Sequence, residues 1–503
     1  MKKLLLILLA AVMVFSIFAC AKKESGKPDV TTNPGTTGGP DVPPATTTQP
    51  TTTTEDKNKP NLPEITFDGA DFRVATKEGL MRLEVFADET ATNIREQAIW
   101  ERNAAVEDTY DIVIDTYLSY DGTVSGQVSE LIDVLFAEDD LYDVALTYAV
   151  GTSPLVVGGF VVNWMNLQYN DFTKYYWIND INKNFMFDDA IYTTVGDMCV
   201  STLTYTYAMF YNRTEGDKIL TEDEEKLTDV IFEKIADNEW TIDYFISVIS
   251  DVYTDIDDTT GVSPDDFYGF TAEALTNLDI YPFAFDIPMV IHDAETVLEC
   301  VFKSEKTATA VDKVNQLYWE SNGSYCNTDP GAYVKFAEGE ALFTTTWLNN
   351  CFGRLAQMED QYTILPYPMF DENQDKYRTG AMDNYSVMTI PWTCSNLELV
   401  SVITEALNYE SRERVFPIYY EESLQKQYTR DPESIEMLDI LMNGRTFDLA
   451  TTFFAGISTC FRSAVANKSG DFMSFYDERE ENFNLAIEKL IEQYNFNKDT
   501  GKE

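Results

Sequence analysis

The sequence predicts an α/β fold with two lobes, on the basis of chain length, composition and the order of local patterns. The body that follows residue 62 holds about 440 residues, which is more than one domain usually contains. Hydrophobic residues make up 44% of the chain, so two cores can be filled. Near the start of the body, β-branched segments alternate with helical patterns, which is typical of right-handed βαβ units in a parallel sheet.

This alternation is seen in a succession of strand and helix patterns. Asn93 and Glu96 form a capping pair at the start of the first helix, whose apolar residues recur at helical spacing. The predicted order is strand Phe72–Thr76, helix Asn93–Asp108, strand Ile112–Ile114, helix Val124–Ala137 and strand Asp143–Thr147. Ligands on such sheets bind at the loops that leave the carboxyl ends of the strands, so we expect a ligand near residues 77–78, 117–120 and 148–151.

The later part of the body adds further elements. The aromatic segment Leu203–Asn212 is too long and too apolar for a loop and predicts a strand that crosses between the lobes. Trp240 is assigned to packing, at the start of a helix capped by Thr241. The remaining predicted elements are the strand Tyr385–Pro391, a helix beginning near Asn396, and helices over 432–442 and 480–494.

The amino terminus predicts export with a lipid anchor. Lys2 and Lys3 precede the apolar run Leu4–Phe18, which has the length of a signal peptide and is short for a membrane span. The run ends at Ala19-Cys20, which resembles the bacterial lipobox, in which the cysteine is acylated. Residues 1–19 are therefore predicted to be a lipoprotein signal peptide, with Cys20 as the lipidation site. Secretion with cleavage elsewhere is the alternative.

Residues 20–62 predict a tether between this anchor and the body. Their Thr, Pro and Gly content leaves too little apolar area to offset the entropy of ordering, so we expect the segment to be disordered. As a flexible coil of ~40 residues it would reach roughly 35 Å. No other stretch approaches the roughly 18 consecutive apolar residues of a membrane span.

The net charge and the histidine content exclude several classes of partner and of catalytic or metal site. The formal net charge of −49 argues against nucleic acid and anionic lipid as partners, because both would be repelled. It favours a neutral or cationic ligand, although solubility alone would also explain it. His292 is the sole histidine, so a multi-histidine zinc site is impossible, and its surroundings suggest no histidine-dependent catalytic site. We predict no cofactor and no metal.

Two motifs leave alternatives open. Beyond Cys20 the cysteines lack any C-x-x-C spacing, so buried free thiols are predicted and disulfides are the alternative; they are Cys199, Cys300, Cys326, Cys351, Cys394 and Cys460. The segment Asp255–Asp266 is similar to a calcium loop, but it has Thr260 where the EF-hand needs glycine and Asp266 where it needs glutamate. We predict an acidic solvated turn there, with a calcium site as the alternative.

Several segments carry a resemblance to a known family. They are Ala98–Glu107, Phe210–Asn212, Glu239–Asp243 and Phe336–Phe343, followed in order by Ile364–Pro368 and Ser386–Pro391. The first four segments resemble, in order, four features of the lipid-anchored extracellular solute-binding proteins of ABC importers. These features are the first helix, the "YN" that ends a crossover strand, the "W-T-x-D/E" helix start and the "F-x-x-G-x-A-x-F/M" segment. The last two segments follow in the order of that family. The resemblance is to the branch that mostly handles carbohydrates, and it covers residue 65 to the end of the chain.

The resemblance implies the architecture. Such proteins have the two-lobed, periplasmic-binding-protein-like type II fold, with crossover strands and a ligand cleft between the lobes. For this chain it implies a first lobe of residues 63–204 and 361–408 and a second lobe of residues 205–360 and 409–503.

The resemblance also suggests the ligand-binding residues. Sugar sites combine flat aromatic faces with planar amides or carboxylates. Trp347 follows a strand where such proteins often place a stacking tryptophan; a core tryptophan is the alternative. Asp383, Asn384 and Tyr385 precede a strand on the cleft side, although such triplets also make turns. The other candidates are Glu78 after the first strand, Tyr205, Tyr207 and Tyr281, the three tyrosines also being explained by packing.

The function implied is capture of a soluble carbohydrate and its delivery to an ABC import permease. The protein would be a monomer, anchored by lipid at the outer face of the cell membrane, with no catalytic residues. An anchored glycoside hydrolase or lyase is one alternative, because paired carboxylates could hide among 85 acidic residues. A peptide, amine or metal complex bound by the same fold is the other.

Overall fold

The computed structural model describes residues 58–120, 122–187, 190–256, 263–292, 298–329, 331–421, 424 and 432–499. These residues belong to one compact unit that runs from Asp56 to Glu503. The predicted signal peptide, the lipidation site Cys20 and nearly all of the tether lie outside the described residues.

Most strands of the described residues belong to two larger sheets, and the others form short ribbons. The strands are β1 Ala70–Lys77, β2 Ile112–Tyr120, β3 Val144–Tyr148, β4 Met186–Phe187, β5 Ala190–Ile191, β6 Tyr207–Asn212, β7 Tyr253–Thr254, β8 Phe267–Glu273, β9 Val290–Ile291, β10 Glu299–Cys300, β11 Ser324–Asn327, β12 Ala341–Trp347, β13 Tyr362–Leu365 and β14 Ser386–Thr389.

Helices cover the sheets and fill the carboxyl-terminal part of the chain. They are α1 Leu80–Val85, α2 Ile94–Tyr110, α3 Val124–Phe136, α4 Ala149–Val157, α5 Asn179–Phe185, α6 Ser201–Thr204, α7 Arg213–Gly216, α8 Leu227–Ala236, α9 Ile242–Ile249, α10 Ile280–Ala284, α11 Glu305–Asn315, α12 Ala332–Ala337, α13 Leu397–Glu410, α14 Pro432–Asn443, α15 Ala450–Phe453, α16 Ala455–Ser458, α17 Cys460–Ala466, α18 Phe472–Asp477 and α19 Glu480–Asp499.

The first sheet confirms the predicted βαβ units. Its strand order is β14-β3-β1-β2, with β1 parallel to both β2 and β3 and with β14 antiparallel to β3. Asn93 caps α2, as predicted, by accepting a hydrogen bond from the Arg95 backbone N–H. Across the sheet, the Arg73 guanidinium forms a bidentate pair with the buried Asp143 carboxylate, with Nη2–Oδ1 and Nε–Oδ2 distances of 2.6 and 3.1 Å. This pair joins β1 to the segment that begins β3.

The second sheet is built around β6, β8 and β12. Its strand order is β11-β8-β12-β6-β13, and β7 pairs with β8 at the edge. β8 is parallel to β11 and β12, whereas β6 is antiparallel to β12 and β13. Next to β11, a Cβ atom added to Gly323 would lie 1.7 Å from the carbonyl oxygen of Ile249. The chain therefore needs glycine where this strand begins.

Two chain segments run side by side between the sheets. The Tyr207 N–H donates to the Gly380 carbonyl at 3.0 Å, and the Met382 N–H donates to the Tyr205 carbonyl at 2.9 Å. One segment leads from α6 into β6, and the other leads from β13 of the second sheet to β14 of the first. We call residues 205–207 the first crossover and residues 379–382 the second crossover.

The segment 361–408, predicted for the first lobe, contributes to both sheets. Tyr362–Leu365 pairs with β6 in the second sheet, and Ser386–Thr389 pairs with β3 in the first. After α14, the Thr446 N–H donates to the Thr379 carbonyl at 2.7 Å, and α15 then packs against α4 beside the first sheet. Each sheet is thus completed by residues far apart in the sequence.

One predicted strand begins later than expected. Within Leu203–Asn212, only Tyr207–Asn212 is a strand, and the preceding Ser201–Thr204 is helical. The Glu84 carboxylate accepts a hydrogen bond from the Ser201 N–H at the start of this helix. An acid near a helix amino terminus stabilises it, and this acid comes from a distant part of the chain.

The six cysteines in the described residues are all unpaired. Trp240 is fully buried at the start of α9, and Thr241 caps that helix, as predicted. Residues 257–262 of the predicted acidic turn lie outside the described residues. No helix within the described ranges is long and apolar enough to cross a membrane.

Candidate functional site

Aromatic side chains from both sheets meet at the first crossover. Trp347 ends β12 and lies beside Tyr207 in the strand register. Its ring centroid is 6.3 Å from that of Tyr205 and 6.4 Å from that of Tyr207, both in edge geometry. The Tyr205 hydroxyl in turn interacts with that of Tyr148, the last residue of β3. We call Tyr148, Tyr205, Tyr207 and Trp347 the aromatic group.

Within the aromatic group, Trp347 is more exposed than Tyr205 and Tyr207. It is only partly buried, whereas Tyr205 is 9% exposed and Tyr207 is 1% exposed. Tyr207 is also fixed, because its hydroxyl donates to the Thr276 carbonyl at 2.6 Å. Burial raises the pKa of Tyr205 and of Tyr207, so both hydroxyls stay neutral at physiological pH. The group thus offers a tryptophan ring on an uncharged aromatic support.

Carboxyl groups and one arginine lie within electrostatic range of Tyr207. Arg462 of α17 pairs with Asp279 at an Nη1–Oδ2 distance of 2.8 Å. Asp383, between the second crossover and β14, is close enough for its charge to act on Asp279 and on Tyr207. Glu273, the last residue of β8, accepts hydrogen bonds from the Thr276 hydroxyl and the Asn277 N–H. We call Glu273, Asp279, Asp383 and Arg462 the acidic group.

Burial dominates the electrostatics of the acidic group. It raises the pKa of Asp279 well above its usual range; Arg462 acts in the opposite direction, and Asp383 and Glu273 raise it further. Burial also raises the pKa of Asp383, again opposed by Arg462. One guanidinium is therefore shared between neighbouring carboxyl groups that are partly removed from water.

A cavity of about 300 Å³ is lined by Thr204 and Asn349, which lie near Tyr205 and Trp347 in the chain. Residues from α1 and from the start of α2 line one side, and the turn that follows Trp347 lines the other. The polar lining includes Glu84, Asn93, Arg95, Asn349 and Asn350, and Tyr419 adds an aromatic ring. Its volume is at the lower end of the range for small-molecule sites.

Glu84 is the most unusual group in this cavity. Glu84 is only 4% exposed. One of its carboxylate oxygens accepts a hydrogen bond from the Ser201 N–H, and the other has no hydrogen-bond partner among the described residues. Burial raises its pKa to about 7, although the nearby Ser201 and Ser386 hydroxyls and the Arg102 charge act in the opposite direction. The Ser386 N–H donates to the Ser201 hydroxyl at 2.8 Å. Glu84 thus lies where the chain enters the first crossover and leaves the second.

The structure brings together Trp347, Tyr205, Tyr207 and Asp383 from the predicted ligand-binding set. Glu78 is exposed on the loop after β1, and its carboxylate lies 3.9 Å from Arg82. Asn384 is partly buried beside Asp383. The binding roles of these residues stay predictions.

Two further predicted ligand contacts are deeply buried, as is Tyr207. Tyr281 is 1% exposed and packs against Tyr318, Tyr367 and other rings beneath the second sheet. Tyr385 is also 1% exposed, and its hydroxyl lies 3.5 Å from the Thr452 hydroxyl. Side chains this deeply buried offer almost no surface to a ligand in this conformation.

Sequence reasoning missed several residues at this place in the fold. Asn349 and Asn350 follow Trp347 closely, so extending the Trp347 prediction along the chain would have found them. Glu84, Asp279 and Arg462 had no local signal, because tertiary contacts alone bring them to the crossovers. The described residues contain no group of three or more His, Cys, Asp or Glu side chains placed to hold a metal ion.

Neither a protein-family model nor a curated protein sequence matches this chain. Solved structures do share its fold. The galacto-N-biose/lacto-N-biose I-binding protein of an ABC transporter from Bifidobacterium longum, in complex with lacto-N-biose, is 12% identical with a TM-score of 0.51, covering 83% of this chain and 98% of that one. An ABC substrate-binding protein from Listeria monocytogenes in complex with cycloalternan is 11% identical with a TM-score of 0.51, covering 84% and 99%.

A third similar structure is the maltose/maltodextrin-binding domain from Bdellovibrio bacteriovorus bound to maltotriose, which is 12% identical with a TM-score of 0.50 and covers 84% of this chain and 98% of that one. These likenesses extend over nearly the whole of each solved chain. The chain therefore has the two-lobed, periplasmic-binding-protein-like fold of ABC transporter solute-binding proteins. This confirms the predicted fold class.

Proposed function

We propose that this chain captures a soluble carbohydrate between its two lobes and delivers it to an ABC import permease. The observation that carries the proposal is the position of Trp347. Its partly buried ring packs against Tyr205 and Tyr207 at the first crossover, in a fold shared with sugar-binding transport proteins. A partly exposed tryptophan there suits the C–H side of a sugar ring.

Polar groups near Trp347 suit the hydroxyl groups of such a ligand. Asn349 and Asn350 offer amide donors and acceptors from one side of the cavity, and Glu84 offers a carboxyl group from the other. A bound sugar that contacts both sides favours the closed arrangement of the lobes, because it gains contacts that the open one lacks. The permease would recognise this closed state.

Lipid anchoring is part of the same proposal. Acylated Cys20 would hold the protein at the outer face of the cell membrane, and the tether of residues 20–62 would keep the lobes clear of it. We propose that the protein works as a monomer without cofactor or metal. We also propose that it breaks no bond, so that lobe closure is the whole mechanism.

The test is a thermal-shift screen of the full-length protein against mono- and oligosaccharides, amino acids and short peptides, followed by calorimetry on the compounds that raise the melting temperature. A ligand at 100 times its dissociation constant stabilises the folded state by about 2.7 kcal/mol. We expect stabilisation by a saccharide and none by amino acids or peptides. Stabilisation by peptides alone would reject the carbohydrate.

The same samples test for catalysis. After overnight incubation with the bound saccharide, we expect the sugar to be recovered intact, without new reducing ends. Sustained turnover by pure protein would replace the transport proposal with an anchored carbohydrate-active enzyme.

A further inference from the structure

We propose that the ligand of this site carries a cationic amine, held by the carboxylates of Asp279 and Asp383 beside the Trp347 ring. The inference rests on the proposed function and names the chemical class of its ligand, an amino saccharide. It follows from carboxyl groups that outnumber the cations, from polar atoms without hydrogen-bond partners and from the aromatic group.

The carboxyl groups outnumber the cations at this place. Glu273, Asp279 and Asp383 stand against the single guanidinium of Arg462. The Glu273 carboxylate already accepts hydrogen bonds from the Thr276 hydroxyl and the Asn277 N–H, and it thereby stabilises the turn Thr276–Asp279. That leaves Asp279 and Asp383 to share Arg462.

Both shared carboxylates have capacity left to accept hydrogen bonds. Arg462 contacts Oδ2 of Asp279, whereas Oδ1 of Asp279 has no hydrogen-bond partner among the described residues. The Asp383 carboxylate accepts no hydrogen bond from the described part of the chain, although its backbone carbonyl accepts one from Val150. A protonated amine has three donors and one positive charge, so it satisfies these oxygens and favours the ionised form of the carboxyl groups, which burial disfavours.

Asn277, in the same turn as Asp279, adds an independent polar atom. It is only 3% exposed, and its Oδ1 has no hydrogen-bond partner in the described chain. The side chain is fixed by its Nδ2 group, which donates to the Thr345 carbonyl of β12 at 2.7 Å. Buried polar atoms are nearly always paired in folded proteins, so this acceptor points to a donor on a ligand.

The aromatic group suits a cation as well as a sugar ring. Ammonium groups are attracted to the faces of tryptophan and tyrosine, and aromatic cages recognise amine ligands in this way. Tyr207 lies in the electrostatic range of Asp279 and Asp383 and also contacts the Trp347 ring. The Lys77 ammonium group lies 5.9 Å from the centre of the Tyr148 ring and would repel a second cation there. We therefore place the amine of the ligand near Asp279 and Asp383, away from Tyr148.

The experiment compares matched ligands that differ only in the amine. The probes are glucosamine, galactosamine and mannosamine and their β1,4-linked disaccharides, each paired with its neutral N-acetylated form. Calorimetry on the full-length protein at pH 7 measures both members of every pair. We expect at least one amine-bearing saccharide to bind tenfold or more tightly than its acetylated partner.

Variants assign that preference to the carboxylates. Asp383→Asn removes one ionisable carboxyl group without changing the shape of the side chain, and we expect it to weaken binding of the amine-bearing probe about tenfold more than binding of the neutral probe. Asp279→Asn should have the same effect and serves if Asp383→Asn lowers the melting temperature. Asp223→Asn removes a carboxylate from an exposed turn and should change neither affinity.

The possible outcomes separate this inference from the proposed function. A neutral saccharide that binds as tightly as its amine-bearing partner, or an amine preference that survives both substitutions, overturns the cationic ligand and leaves carbohydrate capture in place. If no saccharide of either kind binds and the wider screen finds none, both are rejected.

Discussion

At the scale of single residues, the variant Trp347→Ala distinguishes a tryptophan that binds ligand from a tryptophan that belongs to the core. Replacing it with alanine removes a ring contact worth about 0.5–1.5 kcal/mol beyond its buried area, so we expect ligand affinity to fall about tenfold or more. Because the ring is only partly buried, the melting temperature should change little. The measurement is calorimetry and thermal unfolding of the same variant.

The matched control is Trp164, which is fully buried and packs against Trp177. Trp164→Ala should lower the free energy of unfolding by about 3–5 kcal/mol. If Trp347→Ala lowers stability as much as Trp164→Ala, and affinity survives in the folded fraction, Trp347 belongs to the core.

Glu84 links stability to pH. Burial raises the pKa of its carboxyl group from 4.5 to about 7 in the folded state, so between these values the folded chain holds a proton that the unfolded chain has lost. Stability should therefore fall as pH rises from about 4.5 to about 7, by on the order of 3 kcal/mol, since one pKa unit is worth about 1.36 kcal/mol. Above this range the contribution is constant.

Glu84→Gln tests this because glutamine stays neutral at every pH. Urea unfolding at pH 5, 6, 7 and 8 should show a smaller loss of stability in the variant than in the unchanged protein. Other buried carboxyl groups such as Asp197 contribute in the same direction, so the difference between the two proteins isolates Glu84. Glu78→Gln, at an exposed residue of the loop after β1, is the matched control variant. Equal slopes in all three proteins would contradict the buried, protonated state of Glu84.

At the scale of secondary structure, close backbone approach sets a strict requirement at Gly323. Alanine there would place Cβ 1.7 Å from the Ile249 carbonyl oxygen, and a backbone atom cannot move aside as a flexible side chain does. We expect Gly323→Ala to lower the free energy of unfolding by about 1–3 kcal/mol, measured in urea. Gly470, exposed with no atom within 4 Å of an added Cβ, is the control and should change little as alanine.

Elements with a clear local pattern were predictable from the sequence. The strands and helices of the first βαβ units, the Thr241 cap and the helix after Asn396 all follow from periodicity and capping residues, and the structure confirms them. The predicted start of β6 at Leu203 was wrong, because a carboxylate from α1 stabilises the helical turn Ser201–Thr204. That contact depends on packing, which local sequence does not reveal.

The candidate site shows the same limit. Trp347 was predictable from its place at the end of a strand, and Asp383 from its place before one. Arg462 and Asp279 come from elements whose packing next to Trp347 depends on how the carboxyl-terminal helices fold back. Tyr281 is deeply buried, and its binding role stays a prediction, because aromatic residues in cores and in sugar sites look alike in a sequence.

At the scale of the whole molecule, the anchor sets the location. We expect the full-length protein to partition into detergent and Cys20→Ala to abolish that partitioning, because acyl chains bind bilayers through their apolar surface. Phase separation in detergent, followed by detection of the protein, measures this. Cys326→Ala, a change of a cysteine in the body, should still partition. A Cys20→Ala protein that stays with the detergent would reject the lipidated cysteine.

β14 is the last strand of the first sheet to be synthesised, and this affects how the chain folds during synthesis. Ribosomes release β1, β2 and β3 early, but β14, which covers the open edge of β3, follows only after the whole second sheet has been synthesised. Until then β3 presents unpaired backbone groups that attract other strands. A nascent chain in this state needs to be kept from premature pairing, so we expect its maturation to depend on holding factors such as chaperones until residue 389 has emerged.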